Sequence, residues 1–396
     1  MYYKITNKDE NHHGFQYANG LNILDKPFDK TGSCAPGGLY FTTKEHIPKF
    51  YNYGMNIREV ILPESDPDFQ MVKDPDGDKW RANKIILGQK YSLLDPLTYE
   101  KLDLDITKYR YLINYASENG RLDVLNWWKK SDLQLYYTSF AMNRASADNR
   151  IDVLEWWKNS GFKLLYTGFA INNASRNGYL NTLNWWKNSG LELVYTSDAI
   201  SLASSNRHIN VLEWWKNSGL KLKYTSFSMN CASNSGYVDV LDWWKNSKDF
   251  SGLKLKYTND AINLASETGH TNVLEWWKNS GLKIKYSRRA INWASENNHL
   301  HVLDWWKNSG LELKYTHYAM NWASSNGHTN ILNWWKNSGL KLEYTMNAIN
   351  WASERNHINI LDWWKDSGLE LKYDQNAIVW ASPDSRAWWI KFELTR

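Results

Sequence analysis

From about residue 107 onward, apolar and polar positions recur in one pattern that can be written YTxxAINxASxxGHxxVLxWWKNSGLxLK. In one unit Ala348, Ile349 and Ala352 stand at i, i+1 and i+4, which predicts a helix with a single packing stripe. An Asn-His or Gly-His turn follows, and a second helix is expected over about Ile358–Asp366, with Ile360, Leu361, Trp363 and Trp364 on its apolar side. Gly368 ends it in the position that favours a left-handed residue, and Leu369–Tyr373 crosses extended to the next unit. The Trp-Trp pair is the clearest marker. It occurs at 127/128, 156/157, 185/186, 214/215, 243/244, 276/277, 305/306, 334/335, 363/364 and 388/389, with steps of 29 residues except one of 33 and a last one of 25. A fixed period of this size means a repeat in which each unit buries its apolar face only against its neighbours.

Helix starts agree with that period. The residue after the repeated Tyr is Thr138, Thr167, Thr196, Thr225, Thr258, Ser287, Thr316, Thr345 and Asp374, each a residue whose side-chain oxygen satisfies a first-turn N–H. Tyr109 holds this position in the first unit, which is therefore atypical.

Residues 1 to 95 read differently, as a small α+β domain. Strands are expected at Tyr2–Thr6, Gly38–Thr42, Asn56–Leu62 and Lys84–Leu87, with a helix within Thr43–Tyr51 that Pro48 shortens or delays. Residues 31–38 and 63–69 read as loops. Asp95-Pro96 marks the boundary, Pro96–Leu104 a lead-in helix, and 96–396 the repeat array.

Composition adds little chemistry. Of 25 Trp, only Trp80 lies outside the repeats, so the aromatic excess belongs to the repeat unit. The net charge of +5 is modest for 396 residues: residues 1–100 carry 12 basic and 14 acidic groups, the rest 35 and 28. Two cysteines, Cys34 and Cys231, make no disulfide framework and suggest a reducing compartment. No apolar run of about 18 residues predicts a membrane span. Asp74–Asp78 has alternate carboxylates, but a calcium loop starting at Asp74 needs Gly and Glu where Lys79 and Ile85 stand. It reads as a polar turn, and His12-His13 as a solvated loop. Cys34 has no recognisable base, so no catalytic residue, cofactor or metal site is expected. His208, His270, His299, His328 and His357 recur too far apart to share a metal and read as turn residues.

The unit resembles an ankyrin repeat: Asn347–Ser353 stands for TPLHLAA, His357 for the histidine of GH, Ile360-Leu361 for IV and Gly368–Leu371 for GADV. The match covers all ten units, about three-quarters of the chain. The resemblance implies a mostly α, ankyrin-like helix-pair solenoid. The unit is shorter than the usual ankyrin repeat by the hairpin finger before the first helix, and it carries Trp-Trp where ankyrins have Leu-Leu, so Trp156, Trp157, Trp334 and Trp335 are expected as structural burial. With the N-terminal segment it resembles the ankyrin-repeat proteins of giant amoeba-infecting DNA viruses. That implies an intracellular setting, host cytoplasm or virion, a host or viral protein as partner, and no enzymatic activity.

Three irregularities stand out. Extra residues near Lys248–Ser251 predict a loop protruding from the array; the last unit is shortened into a C-terminal cap, with half of its second helix replaced; and Trp293, Trp322, Trp351 and Trp380 are expected to pack inside. Positions that packing leaves free follow the caps and the Ala-Ser pairs. Phe140, Phe169, Phe227, Arg288, Arg289, His317, Tyr318, Met346 and Arg355 form the candidate partner site, on the concave face by ankyrin analogy. The leading function is a protein-binding scaffold. Nucleic-acid binding through the repeated lysines is the alternative, disfavoured by interspersed Glu192, Glu312, Glu343 and Glu370; a structural virion component is another.

Overall fold

The computed structural model describes residues 1–31, 37–75, 77–251 and 253–394, without the side chains of 248–251. Cys34 and Asp76, and with Asp76 part of the calcium-like turn, lie outside the described residues. Internal contacts divide the chain into two compact units: Met1–Ala174 with Asn181–Val194, and Ser175–Leu180 with Tyr195–Arg396.

The first unit begins with nine strands: β1 (Tyr2–Thr6), β2 (Asn11–His12), β3 (Phe15–Gln16), β4 (Gly20–Ile23), β5 (Leu39–Thr43), β6 (Asn56–Ile61), β7 (Met71–Lys73), β8 (Trp80–Ala82) and β9 (Lys84–Ser92). Seven of them form an antiparallel sheet in the order β4-β9-β6-β1-β5-β8-β7, and β2-β3 is a separate hairpin. The four expected strands are present as β1, β5, β6 and β9, the last extended to Ser92, while the short β2, β3, β4, β7 and β8 go beyond the expectation. Pro48 delays the helix as expected: a 3₁₀ segment runs Ile47–Tyr53 with Pro in its first turn. Tyr17, Leu39, Phe41, Val60, Ala82, Ile85 and Leu87 form the core on one face. His12 corrects the solvated-loop expectation. Its Nε2 accepts the Asn7 N–H at 3.1 Å, and burial, with Lys4 and His13 nearby, lowers its pKa to about 4.

The lead-in helix spans Pro96–Leu102, with the Asp95 carboxylate accepting from Leu97 N–H. Tyr109 is buried, its ring 5.5 Å from Tyr51, which joins the first repeat to the sheet region within this unit.

Helix pairs then repeat as predicted, for example Asn347–Glu354 with Ile358–Asp366. The nine cap residues all accept the N–H two positions on. The insertion forms no loop: the second helix of its unit simply continues, over Val238–Ser251. Residues that extend an existing helix keep satisfying their own backbone groups, whereas a loop must find partners elsewhere. The last unit differs from expectation as well. Its first helix is cut to Asn376–Val379, and its second, Pro383–Leu394, is long rather than halved. Pro383 starts it, a position where the missing N–H costs nothing.

Candidate functional site

The two tryptophans of each pair differ in role. The second lies in the core: Trp157, Trp186, Trp215, Trp244, Trp277, Trp306, Trp335 and Trp364 are at most 1% exposed. A buried indole N–H must find an acceptor, and here it is the Ser of Ala-Ser in the preceding unit. In the first unit of the chain Trp157 donates to Ser117 Oγ at 3.0 Å and Trp186 to Ser146 at 3.0 Å. In the second, the series runs from Trp215 on Ser175 at 3.1 Å to Trp364 on Ser324 at 3.1 Å and Trp389 on Ser353 at 2.8 Å. The serine hydroxyl in turn donates to a backbone carbonyl, four residues back where Ser295 donates to Ile291 and in the next repeat where Ser353 donates to Ala377, so the chain of donors is closed. The repeated tyrosine covers the same indole, with Tyr315 4.8 Å from Trp335.

The first tryptophan is half-buried, except Trp243, which is buried, and it stands perpendicular to the second, 5.1 Å away at Trp334/Trp335. Its N–H reaches the polar residue just before the preceding pair: Trp156 to Asn126 at 2.8 Å, Trp305 to Glu275 at 2.8 Å, Trp334 to Asp304 at 2.7 Å. Asn carries a third ladder that the sequence pattern had not suggested. Asn321 Nδ2 donates to Thr345 Oγ1 at 2.7 Å while its Oδ1 accepts the Thr345 N–H at 3.1 Å, and Asn143 holds Thr167 in the same way. The recurring Asn of Ala-Ile-Asn was the available signal.

These ladders consume one side of the first helix. In Arg289–Glu296, the residues Ala290, Ile291, Asn292, Ala294 and Ser295 are buried. Arg289, Trp293 and Glu296, at i, i+4 and i+7, therefore form the opposite stripe. Trp293, Trp322 and Trp351 are half-buried, and Trp380 is 61% exposed, which corrects the expectation of interior packing. Helical geometry explains it: the Ala-Ser face already fills the contact between neighbouring first helices. The tryptophans pair instead with residues of the candidate site on the same helix. Tyr318 stacks on Trp322 at 4.6 Å, and the Arg289 guanidinium lies over the Trp293 ring at 5.2 Å. In the first unit Arg144 lies over Phe140 at 4.7 Å.

The sequence-predicted positions are distributed as follows. Phe140 and Phe169, in the first unit, are 36% and 65% exposed. In the second, Phe227, Tyr318 and Met346 are exposed, as are Arg288 and Arg289, while His317 is half-buried with its ring 4.4 Å from Tyr318. Arg289 and Tyr318 stand with Trp293 and Trp322 on consecutive first helices, the next first helix carries Trp351, and Met346 immediately precedes that helix. Arg355 is instead engaged within the array, where its Nη1 donates to Asn326 Oδ1 at 2.8 Å and bridges to the preceding unit. Beside it Glu296 has a raised pKa, from burial first and then Glu267, with Arg355 opposing.

The repeated lysines are less free than a solvated face implies. Lys223 lies 4.4 Å over the Tyr195 ring, Lys285 4.4 Å over Tyr257, Lys314 4.8 Å over Tyr286 and Lys372 4.6 Å over Tyr344. The turn histidines also join neighbours. His328 Nε2 lies 3.0 Å from the Glu296 carbonyl, and burial lowers its pKa despite that bond. A Cβ on Gly327 would come within 2.8 Å of the His357 ring, so this left-handed position (φ +80°) also needs glycine for space. Burial pushes the half-buried Cys231 thiol up to about 11, away from nucleophilic use. Among the described residues no three His, Cys, Asp or Glu side chains cluster as a metal site, and no helix is long and apolar enough to cross a membrane.

No protein-family model matches the chain. Several proteins of Acanthamoeba polyphaga mimivirus do. The one named for ankyrin repeats as R868 is 48% identical over 129 residues, 32% of this chain and 64% of its own length; R896, also named for ankyrin repeats, is 41% identical over 31% of this chain and 39% of its own length. The uncharacterized mimivirus protein R869 is 41% identical over 132 residues, 32% of this chain and 94% of its own length. The chain thus spans less than two-thirds of the ankyrin-named relatives it matches first. Among solved structures, the human ASB11 ankyrin repeat domain aligns with 44% of this chain and 86% of its own, at 15% identity and a TM-score of 0.35. The chain thus belongs to one family with the mimivirus protein R869, and in its capped helix pairs and its Ala-Ser and Gly-His landmarks it is similar to the mimivirus proteins named for ankyrin repeats.

Proposed function

We propose that this protein is a non-enzymatic interaction scaffold that holds a host or viral protein along the exposed stripe of its first helices. The observation that carries the reading is the set of aromatic and arginine pairs at helical spacing, Arg289 on Trp293 and Tyr318 on Trp322 followed by Trp351. Packing between repeats does not require them, and Trp, Tyr and Arg are the residue types that dominate interface energetics. The relatives named for ankyrin repeats support the class, and the viral setting proposed with it, host cytoplasm or virion, rests on their source. Weighing against nucleic-acid binding, Lys223, Lys285, Lys314 and Lys372 are engaged with tyrosine rings rather than presented to a phosphate backbone.

The test uses the full chain, crosslinked in host cells, and identifies what is bound. Tyr318→Ala and Trp322→Ala are expected to weaken the captured protein about thirtyfold each, as hot-spot truncations do, with unfolding midpoints close to the parent's. A partner retained undiminished by both variants, or a captured nucleic acid in its place, overturns the proposal.

A further inference from the structure

The sheet region carries a second feature unrelated to the repeats. Lys4 on β1 pairs directly with Arg58 on β6, and Arg58 pairs with Lys90 on β9, so three cations stand in a row across one face of adjacent strands. Like charges placed directly opposite are unfavourable, and two of these, Lys4 and Arg58, are buried to 6% and 2% exposure. Lys4 is satisfied locally: its Nζ donates to the Tyr40 carbonyl at 2.9 Å and sits 4.3 Å over the Tyr17 ring. Arg58 is satisfied only in part. Arg58 Nη2 donates to Asn19 Oδ1, but its buried Nε has no hydrogen-bond partner.

Among the described residues, the carboxylate that faces them is Glu10, and it stops short. Its Oε1 is 3.6 Å from Arg58 Nε and its Oε2 3.7 Å from Lys90 Nζ, both beyond hydrogen-bond length, while Thr6 Oγ1 donates to Oε1 at 3.1 Å. Glu10 also holds a left-handed backbone, φ +53°, which costs a residue with a side chain. Between the Arg58–Lys90 and Val60–Leu87 pairs the β6·β9 register slips, so that the stretch from Leu87 to Lys90 carries one residue more than its partner. Such bulges re-aim side chains and recur beside functional sites. Glu10, Asn19, Arg58, Leu87, Gly88, Gln89 and Lys90 together line an open pocket of about 450 Å³, room enough for a small molecule.

We propose that this pocket binds a small oxyanion, the phosphate or carboxylate group of a small molecule, between Arg58 and Lys90, and that Glu10 competes with it for the same cations. The unpartnered Arg58 Nε supplies a directed donor of the kind that recognises planar or tetrahedral oxyanions. Lys90, at the exposed rim, supplies a mobile point charge. Glu10 keeps the charge row tolerable in the empty protein without forming the bonds an incoming anion can form.

Isothermal titration of the full chain with inorganic phosphate, and separately with acetate, tests this and distinguishes the two chemistries. Saturable binding of one anion is expected, weakened about tenfold by Lys90→Ala and tightened about tenfold by Glu10→Gln, each tenfold being one decade in Kd. Arg58 is too buried to be a safe probe, so the rim variants carry the test, with thermal unfolding showing that each still folds. Heats no larger than dilution for both anions up to about 10 mM, well past a millimolar Kd, overturn the proposal. So does binding that both variants leave unchanged.

Discussion

The sheet region buries Lys4, Arg58 and Arg81, whereas the repeats bury Ser, Asn and the indole N–H of Trp. In the repeats these groups are hydrogen-bonded: Trp335 to Ser295 and Asn321 to Thr345 across neighbouring repeats, and Ser295 to Ile291 within its own helix. In the sheet region the guanidinium groups are incompletely satisfied, with Arg58 Nε and Arg81 Nε and Nη2 lacking hydrogen bonds. Neutral polar groups closed into a ladder rigidify a stack at small desolvation cost. Buried cations with spare donors cost far more and need a reason outside packing. The proposed partner stripe accordingly lies on the side of the first helices that the ladders leave free, and the proposed anion site lies among the incompletely satisfied cations of the sheet region.

The comparison is broken most severely at the core tryptophan. Trp335→Ala removes a side chain at 1% exposure and is expected to cost about 3–5 kcal/mol in denaturant unfolding, whereas Trp334→Ala, half-buried, should cost clearly less. Equal losses would mean that the two indoles share one role. A finer cut is Ser295→Ala, which leaves the Trp335 N–H buried without its acceptor and should cost about 1–3 kcal/mol. In a double-mutant cycle with Trp335→Phe, that cost should shrink by about 1 kcal/mol, the coupling of one buried hydrogen bond.

On the sheet side, burial lowers the Lys4 pKa to about 7. Between pH 7 and its unfolded value near 10.5 the unfolded chain binds the extra proton, so this group's contribution to stability rises with pH across that window. Relative to Lys4→Met, the parent should gain stability from pH 7 upward; parallel pH profiles would place the Lys4 ammonium in water. The smallest effect belongs to the repeat lysines. Lys314→Ala removes a half-exposed cation over the Tyr286 ring and should cost only about 0.5–1 kcal/mol.

Much of this was readable in the chain and some was not, for reasons that individual residues show. The nine cap residues were predictable because capping is local: a side chain two positions from its N–H needs no tertiary partner. The place of Trp293, Trp322 and Trp351 outside the buried stripe is also present in the i, i+4 spacing from Arg289, Tyr318 and Asn347, but analogy to a longer ankyrin unit points the other way. The helical continuation through Ser251 was missed because an insertion counts residues without stating their conformation. Arg355 was assigned to a partner site on its type, and only the neighbouring Asn326 shows it already engaged.

By itself the sequence determined the repeat: its period, its helix limits and the stripe that must be buried, since each follows from interactions spanning a few residues and reappearing about every 29. Tertiary structure decided which tryptophan of each pair is core, which stripe of the first helix lies outside the packing between repeats, and that Lys4, Arg58 and Lys90 stand in one row. Those facts depend on contacts about 30 to 40 residues apart in the repeats and on the register of three strands in the sheet. A one-residue slip in such a register turns every side chain to the other face, and no local pattern around Arg58 carries that information.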